Sequence, residues 1–190
     1  MKHVIRRVVT VFFGGMMLIC PVWAMHLFPD VDETTDYYEA VDYVSGIELM
    51  VGDEKGYFNP DKIVTRAEIA TILCNIAGET DNLLADGTFF SDVPASHWAN
   101  PYIVTAAKLG LVSGYGDGRY GPEDILTYEQ VLTMVIRAFG YADFALQLGA
   151  YPDGFVQAAA ELEYTRWISA EKGDPLTRKD VAIILFNAMV

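Results

Sequence analysis

A set of landmarks recurring at a constant offset constrains this chain more than any other feature of its sequence. The fullest copy runs through Phe90-Ser91-Asp92-Val93-Pro94, Ser96-His97-Trp98-Ala99, an apolar stretch to Leu109, Ser113-Gly114-Tyr115-Gly116-Asp117-Gly118, Tyr120-Gly121-Pro122 and Leu126-Thr127-Tyr128-Glu129-Gln130. Upstream stand Phe28-Pro29-Asp30-Val31, Gly56-Tyr57-Phe58-Asn59-Pro60 and Val64-Thr65-Arg66-Ala67-Glu68. Asp30 to Asp92, Pro60 to Pro122 and Thr65 to Thr127 are each 62 residues apart. Downstream, Tyr151-Pro152-Asp153-Gly154 and Leu176-Thr177-Arg178-Lys179-Asp180 repeat the two ends of the pattern. There Asp153 to Thr177 spans 24 positions where the other copies span 35, so the third copy lacks about one loop. A fixed period means that each unit is one supersecondary block, unable to bury its apolar face alone and bound to pack on its neighbours.

Within the units the periodicity is helical. Tyr37, Ala40, Val41 and Val44 fall at i, i+3, i+4 and i+7 in a first helix over 36–49. A second helix begins at Thr65 with the stripe Ile69, Ile72, Leu73 and Ile76. Equivalent stripes are Val131, Met134, Val135 and Ala138, then Val181, Ile184, Leu185 and Ala188. The third unit supplies a first helix over 155–163, a short turn through Lys172-Gly173-Asp174-Pro175, and a last helix ending at Val190. Residues 78–87 read as a polar linker and 140–149 as a more apolar connection that packs. Six principal helices in an all-α fold are expected, the three stripes forming one core with Val41, Ile103 and Ala159.

The start of the chain is built differently. Lys2, His3, Arg6 and Arg7 precede an apolar or small run from Val8 to Cys20, and Val22-Trp23-Ala24 has the spacing a signal peptidase reads, so 1–24 is expected to be a cleaved export signal. That run is too short to span a bilayer, which takes about 20 residues. A lipidated Cys20 is disfavoured by Leu18-Ile19, which lacks the small residue needed before it. The segment carries three of the thirteen basic residues and none of the 26 acidic ones, so the chain beyond it has ten against 26, a formal charge of −16. Such a chain repels phosphate backbones, which argues against nucleic acid as a partner. Beyond residue 24 Cys74 is the only cysteine, expected as a buried small hydrophobe, and His26 and His97 have no acid or cysteine at ligand spacing, so no metal site is expected.

Thr65 with Glu68, Thr127 with Gln130 and Thr177 with Asp180 are spaced as capping boxes. Arg66 and Arg178 are not needed for capping. At the first helical position, where free N–H groups and the dipole favour an anion, each guanidinium would complete a two-part anion receptor. A solvated arginine, or one paired with a nearby carboxylate, is the alternative.

These motifs, Asp-Val-Pro with His-Trp-Ala, Gly-Tyr-Gly-Asp-Gly, and Thr-Arg-Ala-Glu, resemble those of the S-layer homology family. Three tandem repeats are implied: 25–84, 85–148 and a shortened 149–190, as helix-turn-helix units around a pseudo-threefold axis. The resemblance implies a non-catalytic, secreted surface-anchoring module that needs no cofactor. It binds cell-wall polysaccharide bearing an acidic pyruvate ketal, in grooves between repeats, and has no membrane attachment after signal cleavage. Carried over by position, Arg66 and Arg178 would grip the carboxylate and Asp30 and Asp92 would accept from sugar hydroxyls. Trp98 would stack on a ring, while Ser45-Gly46 and Ser113-Gly114 would let backbone approach. The residues leave other roles open: helix caps for Asp30 and Asp92, a core anchor for Trp98, turn geometry for Gly114. The best-equipped groove is expected to join Arg66 to elements around Trp98. Tyr128 replaces the arginine in the second unit, which favours the alternative of an envelope assembly protein whose degenerate repeats bind protein. No Ser/His/Asp or Cys/His set for catalysis is present.

Overall fold

A computed structural model describes residues 28–190 of the chain. The segment 1–24, expected as an export signal, lies outside them. Seven helices and no strand occur among the described residues: α1 Tyr38–Gly46, α2 Arg66–Ala77, α3 Asn100–Lys108, α4 Tyr128–Ala138, α5 Ala142–Leu148, α6 Asp153–Glu161 and α7 Arg178–Met189. The all-α expectation holds. The seventh helix is α5, formed by the apolar connection and packed on α4 and α6.

The first helix of each unit packs on the second helix of the preceding unit: α3 on α2, α6 on α4, and α1 back on α7. Each apolar face is thus covered by another unit. Just before α2, α4 and α7 the chain is extended, and there the three units meet in a closed cycle of hydrogen bonds. Val64 N–H donates to the Leu176 carbonyl at 3.0 Å, Leu176 N–H to Leu126 at 3.3 Å, and Leu126 N–H to Val64 at 3.4 Å. All three residues are at most 1% exposed, so these bonds close in apolar surroundings where an unmade one would be costly. Ile69, Leu73, Val131, Val135, Val181, Ile184 and Leu185 are buried around them, and Val41, Ile103 and Ala159 join the same core.

The linker over 78–87 is docked on α3. Fully buried Asn100 accepts from Asp86 N–H and donates to the Asp86 and Val93 carbonyls, and Thr105 Oγ1 accepts from Leu84 N–H. Cys74 is buried on α2 against the Tyr102 carbonyl, and burial pushes its thiol up to about 11. A thiol held protonated is a poor nucleophile. We expect no alkylation by iodoacetamide at pH 8 in the native protein and complete alkylation in urea, read by intact mass.

Candidate functional site

The sequence places Arg66 and Arg178 at the first helical position, and the structure fills the backbone donors beside them. At α2, Arg66 N–H donates to the Asp124 carbonyl and Ala67 N–H to Pro122, both at 2.9 Å, while Glu68 N–H meets Thr65 Oγ1 and Thr65 N–H meets Glu68 Oε2. At α7, Arg178 N–H and Lys179 N–H donate to the Lys62 and Pro60 carbonyls, and Thr177 and Asp180 complete the box. In α4, Gln130 Oε1 accepts from Thr127 N–H. The capping boxes are complete at α2 and α7, while at α4 the Thr127 hydroxyl is buried without a partner among the described residues and only the Gln130 half is made; the two-part receptor is absent. Its amide half is satisfied by carbonyls from another unit, so any anion site rests on the guanidinium groups alone.

Those groups are held in a fixed way. Arg66 is 6% exposed; its Nε donates to the Tyr120 carbonyl at 2.8 Å and one Nη to Ser113 at 2.7 Å. Tyr120 and Tyr115 lie 4.5 and 4.9 Å from its central carbon, as cation–π partners. Arg178, half-buried, repeats this with the Phe58 and Val51 carbonyls, both at 2.7 Å, over the Phe58 ring. Burial pulls the Arg178 pKa down, yet an arginine stays cationic at physiological pH. Among the described residues neither guanidinium has a carboxylate partner.

Asp30 and Asp92 neither cap helices nor stand free for a ligand. Asp92 accepts from Tyr120 and Gly121 N–H, both at 2.8 Å, and Asp30 from Phe58 N–H at 2.9 Å and Asn59 N–H at 2.6 Å. The peptide between Tyr120 and Gly121 therefore has a carboxylate at its N–H and the Arg66 guanidinium at its carbonyl. The Phe58–Asn59 peptide is bracketed likewise by Asp30 and Arg178. Opposite charges at the two ends of one amide polarise it in the same sense, so each bond strengthens the other. Burial pushes the Asp92 carboxyl up, but the two amide donors outweigh it and hold the group below its usual value.

Each guanidinium lines an open cleft. One, of about 240 Å³, joins Arg178 to the 49–53 loop, the α2 side chains Glu68, Thr71 and Asn75, and Trp98. The other, of about 300 Å³, joins Arg66 to residues 111–113, the α4 side chains Gln130, Thr133 and Arg137, and Tyr151. Trp98 is 57% exposed, so it is no core anchor; it stacks beside His97 just before α3, and Tyr151 stands just before Pro152, the N-cap of α6. Trp98 thus belongs with Arg178, and the expected pairing of Arg66 with Trp98 does not occur. Arg137, Tyr151 and Asn75 line the clefts without having been expected there from the sequence. The offset of 62, which maps Asn75 to Arg137 and Thr71 to Thr133, could have found the helix positions.

Ser113 lines the Arg66 cleft and supplies a carbonyl to the guanidinium. Gly114 serves packing: a Cβ there would lie 2.5 Å from the Arg119 carbonyl and 2.6 Å from the Phe90 ring. Ser45 and Gly46 lie in the last turn of α1 and line neither cleft. Their structural counterparts are not Ser113 and Gly114, which match Val51 and Gly52. Gly52 approaches the Phe28 ring just as closely. In the second unit Tyr128, 9% exposed, takes the arginine's place, with Thr165 as its side-chain hydrogen-bond partner. Tyr128 lines neither of the small clefts near Trp167: one is bounded by Asp36, Glu39 and Ile183, the other by Asp36, Lys179 and Asp180.

Residues 27–70 and 89–132 match the family model of the S-layer homology domain. The chain is 34% identical over 167 residues to a "Cell surface protein" of Thermoanaerobacter kivui, covering 85% of this chain and 21% of that protein. It is 28% identical over 156 residues to a "Middle cell wall protein" of Brevibacillus brevis, covering 81% and 14%. An "Endoglucanase" of a Bacillus species shares 28% over 121 residues, covering 64% and 12%. The chain therefore spans about a fifth or less of the length of these relatives. The chain carries two stretches that match the S-layer homology domain, at 27–70 and 89–132, followed by the helices α5, α6 and α7.

Proposed function

We propose that this chain is a non-catalytic anchoring module at the bacterial cell surface, holding cell-wall polysaccharide non-covalently. The pyruvate-ketal carboxylate is gripped by the guanidinium groups of Arg66 and Arg178, each in its own cleft. Residues 1–24 are the export signal, and 25–84, 85–148 and 149–190 are three repeats around a pseudo-threefold axis. One observation carries the binding reading: in a chain with a large excess of acids, two arginines are fixed by backbone carbonyls, lack carboxylate partners among the described residues and face open clefts. A planar fork with unused N–H groups suits a carboxylate. Trp98 and Tyr151 offer exposed ring faces for sugar C–H groups. The names of the wall and surface relatives support the location.

Sedimentation with purified cell walls tests this without altering the protein. Mild acid removes ketal pyruvate from the glycan. Stripped walls are expected to retain less than about a tenth of the protein held by untreated walls. Equal retention overturns the carboxylate-grip reading. A second reading, an assembly protein whose units bind protein partners, is favoured by two features: Tyr128 in the arginine's place in the second unit, and Trp167, 66% exposed beside Asp36 and Glu39.

A further inference from the structure

We propose that the two arginine clefts are not equivalent, and that the Arg66 cleft is selective for a glycan segment carrying two carboxylates, the second held by Arg137. This rests on the anchoring reading above and names the ligand class of one of its two sites.

The five arginines among the described residues fall into two groups. Arg119 and Arg166 are exposed and paired with Asp117 and Glu163. Arg66, Arg137 and Arg178 have no acid partner among the described residues, and all three line the clefts. Arg137 is half-buried on α4, its guanidinium 5.4 Å from the Phe155 ring and without a hydrogen bond among the described residues. Partial burial without a counter-charge is unfavourable, and a bound anion relieves it. The clefts also differ in balance. The Arg178 cleft holds Asp53, Glu68 and Lys62, with Glu68 paired to Lys62 at 2.6 Å. The Arg66 cleft has Gln130 where the other has Glu68 and Arg137 where the other has Asn75, and no carboxylate lines it. Two guanidinium groups and no acid, in so acidic a chain, form a dianion site. In the Arg178 cleft a second carboxylate would meet Asp53 and Glu68.

The test uses the secreted chain, with galacturonic acid as a one-carboxylate probe and digalacturonate as a two-carboxylate probe, binding being read from arginine Nε–H resonances. Digalacturonate is expected to bind the Arg66 cleft about tenfold more tightly than galacturonic acid. Arg137→Gln, whose melting temperature should change by at most a few degrees because the Arg137 side chain has no hydrogen bond among the described residues, is expected to erase that preference. Arg178→Gln is expected to preserve it. Equal affinities, no response of the Arg137 resonance to digalacturonate, or a preference that survives Arg137→Gln each overturn the proposal. Failure of the anchoring reading is separate: walls stripped of ketal that still hold the protein sink that reading whatever Arg137 does. A protein that needs the ketal but shows no digalacturonate preference sinks only the dianion assignment.

Discussion

Arg66→Ala is expected to lower the unfolding free energy by about 3 kcal/mol, since two charge-assisted hydrogen bonds are lost and a buried carbonyl is left unpaired. The Tyr120 carbonyl is the group most exposed to this loss, because Arg66 reaches it inside the fold at 94% burial, the complement of its 6% exposure. For a chain of this length the melting temperature should fall by about 10 °C. Arg178→Ala removes the same pair of bonds from a half-buried side chain, so water can replace them and the effect should be smaller. Urea unfolding of both variants checks the order. Equal losses would mean that burial of Arg66 contributes nothing beyond the contacts it shares with Arg178.

Asp92→Ala is the second large effect, again about 3 kcal/mol, because two backbone N–H groups lose an ionised acceptor. The Asp92 carboxyl lies below its usual value in the fold. Its stabilisation is therefore fully present above the unfolded pKa of about 4 and is lost as pH falls through the folded value. Unfolding free energy measured downward from pH 5 should drop in the parent chain, and the drop should be shallower in Asp92→Asn. Because Asp92 and Arg66 act on the same peptide from opposite sides, the double variant should lose less than the sum of the singles. A coupling of about 1 kcal/mol is expected.

Short-range features of this molecule were legible in the residues. The capping boxes, the apolar stripes and the helical class each depend on neighbours within a turn or two, and the structure has them where the pattern puts them, save that the Thr127 hydroxyl makes no cap bond. Helix ends moved inward: the first helix occupies 38–46 within the expected 36–49, because Glu48 adopts a positive φ of 61° and turns the chain. Ser45-Gly46 and Ser113-Gly114 share residue identity but not position, since the constant offset pairs 113–114 with Val51-Gly52. Trp98 could not be assigned to core or surface from its type, since an indole suits either.

The sequence by itself determined that the chain is helical and which residues of 27–70 correspond to which of 89–132, because periodicity and offset are carried by the chain locally. Only the tertiary structure decided where the arginines point and what completes each cleft. Arg66 finds its carbonyls 47 and 54 residues away and Arg178 at 120 and 127, and the donors at both helix starts are filled by equally distant carbonyls. Such partners are fixed by how the units close on one another, and a backbone carbonyl leaves no mark in a sequence because every residue has one.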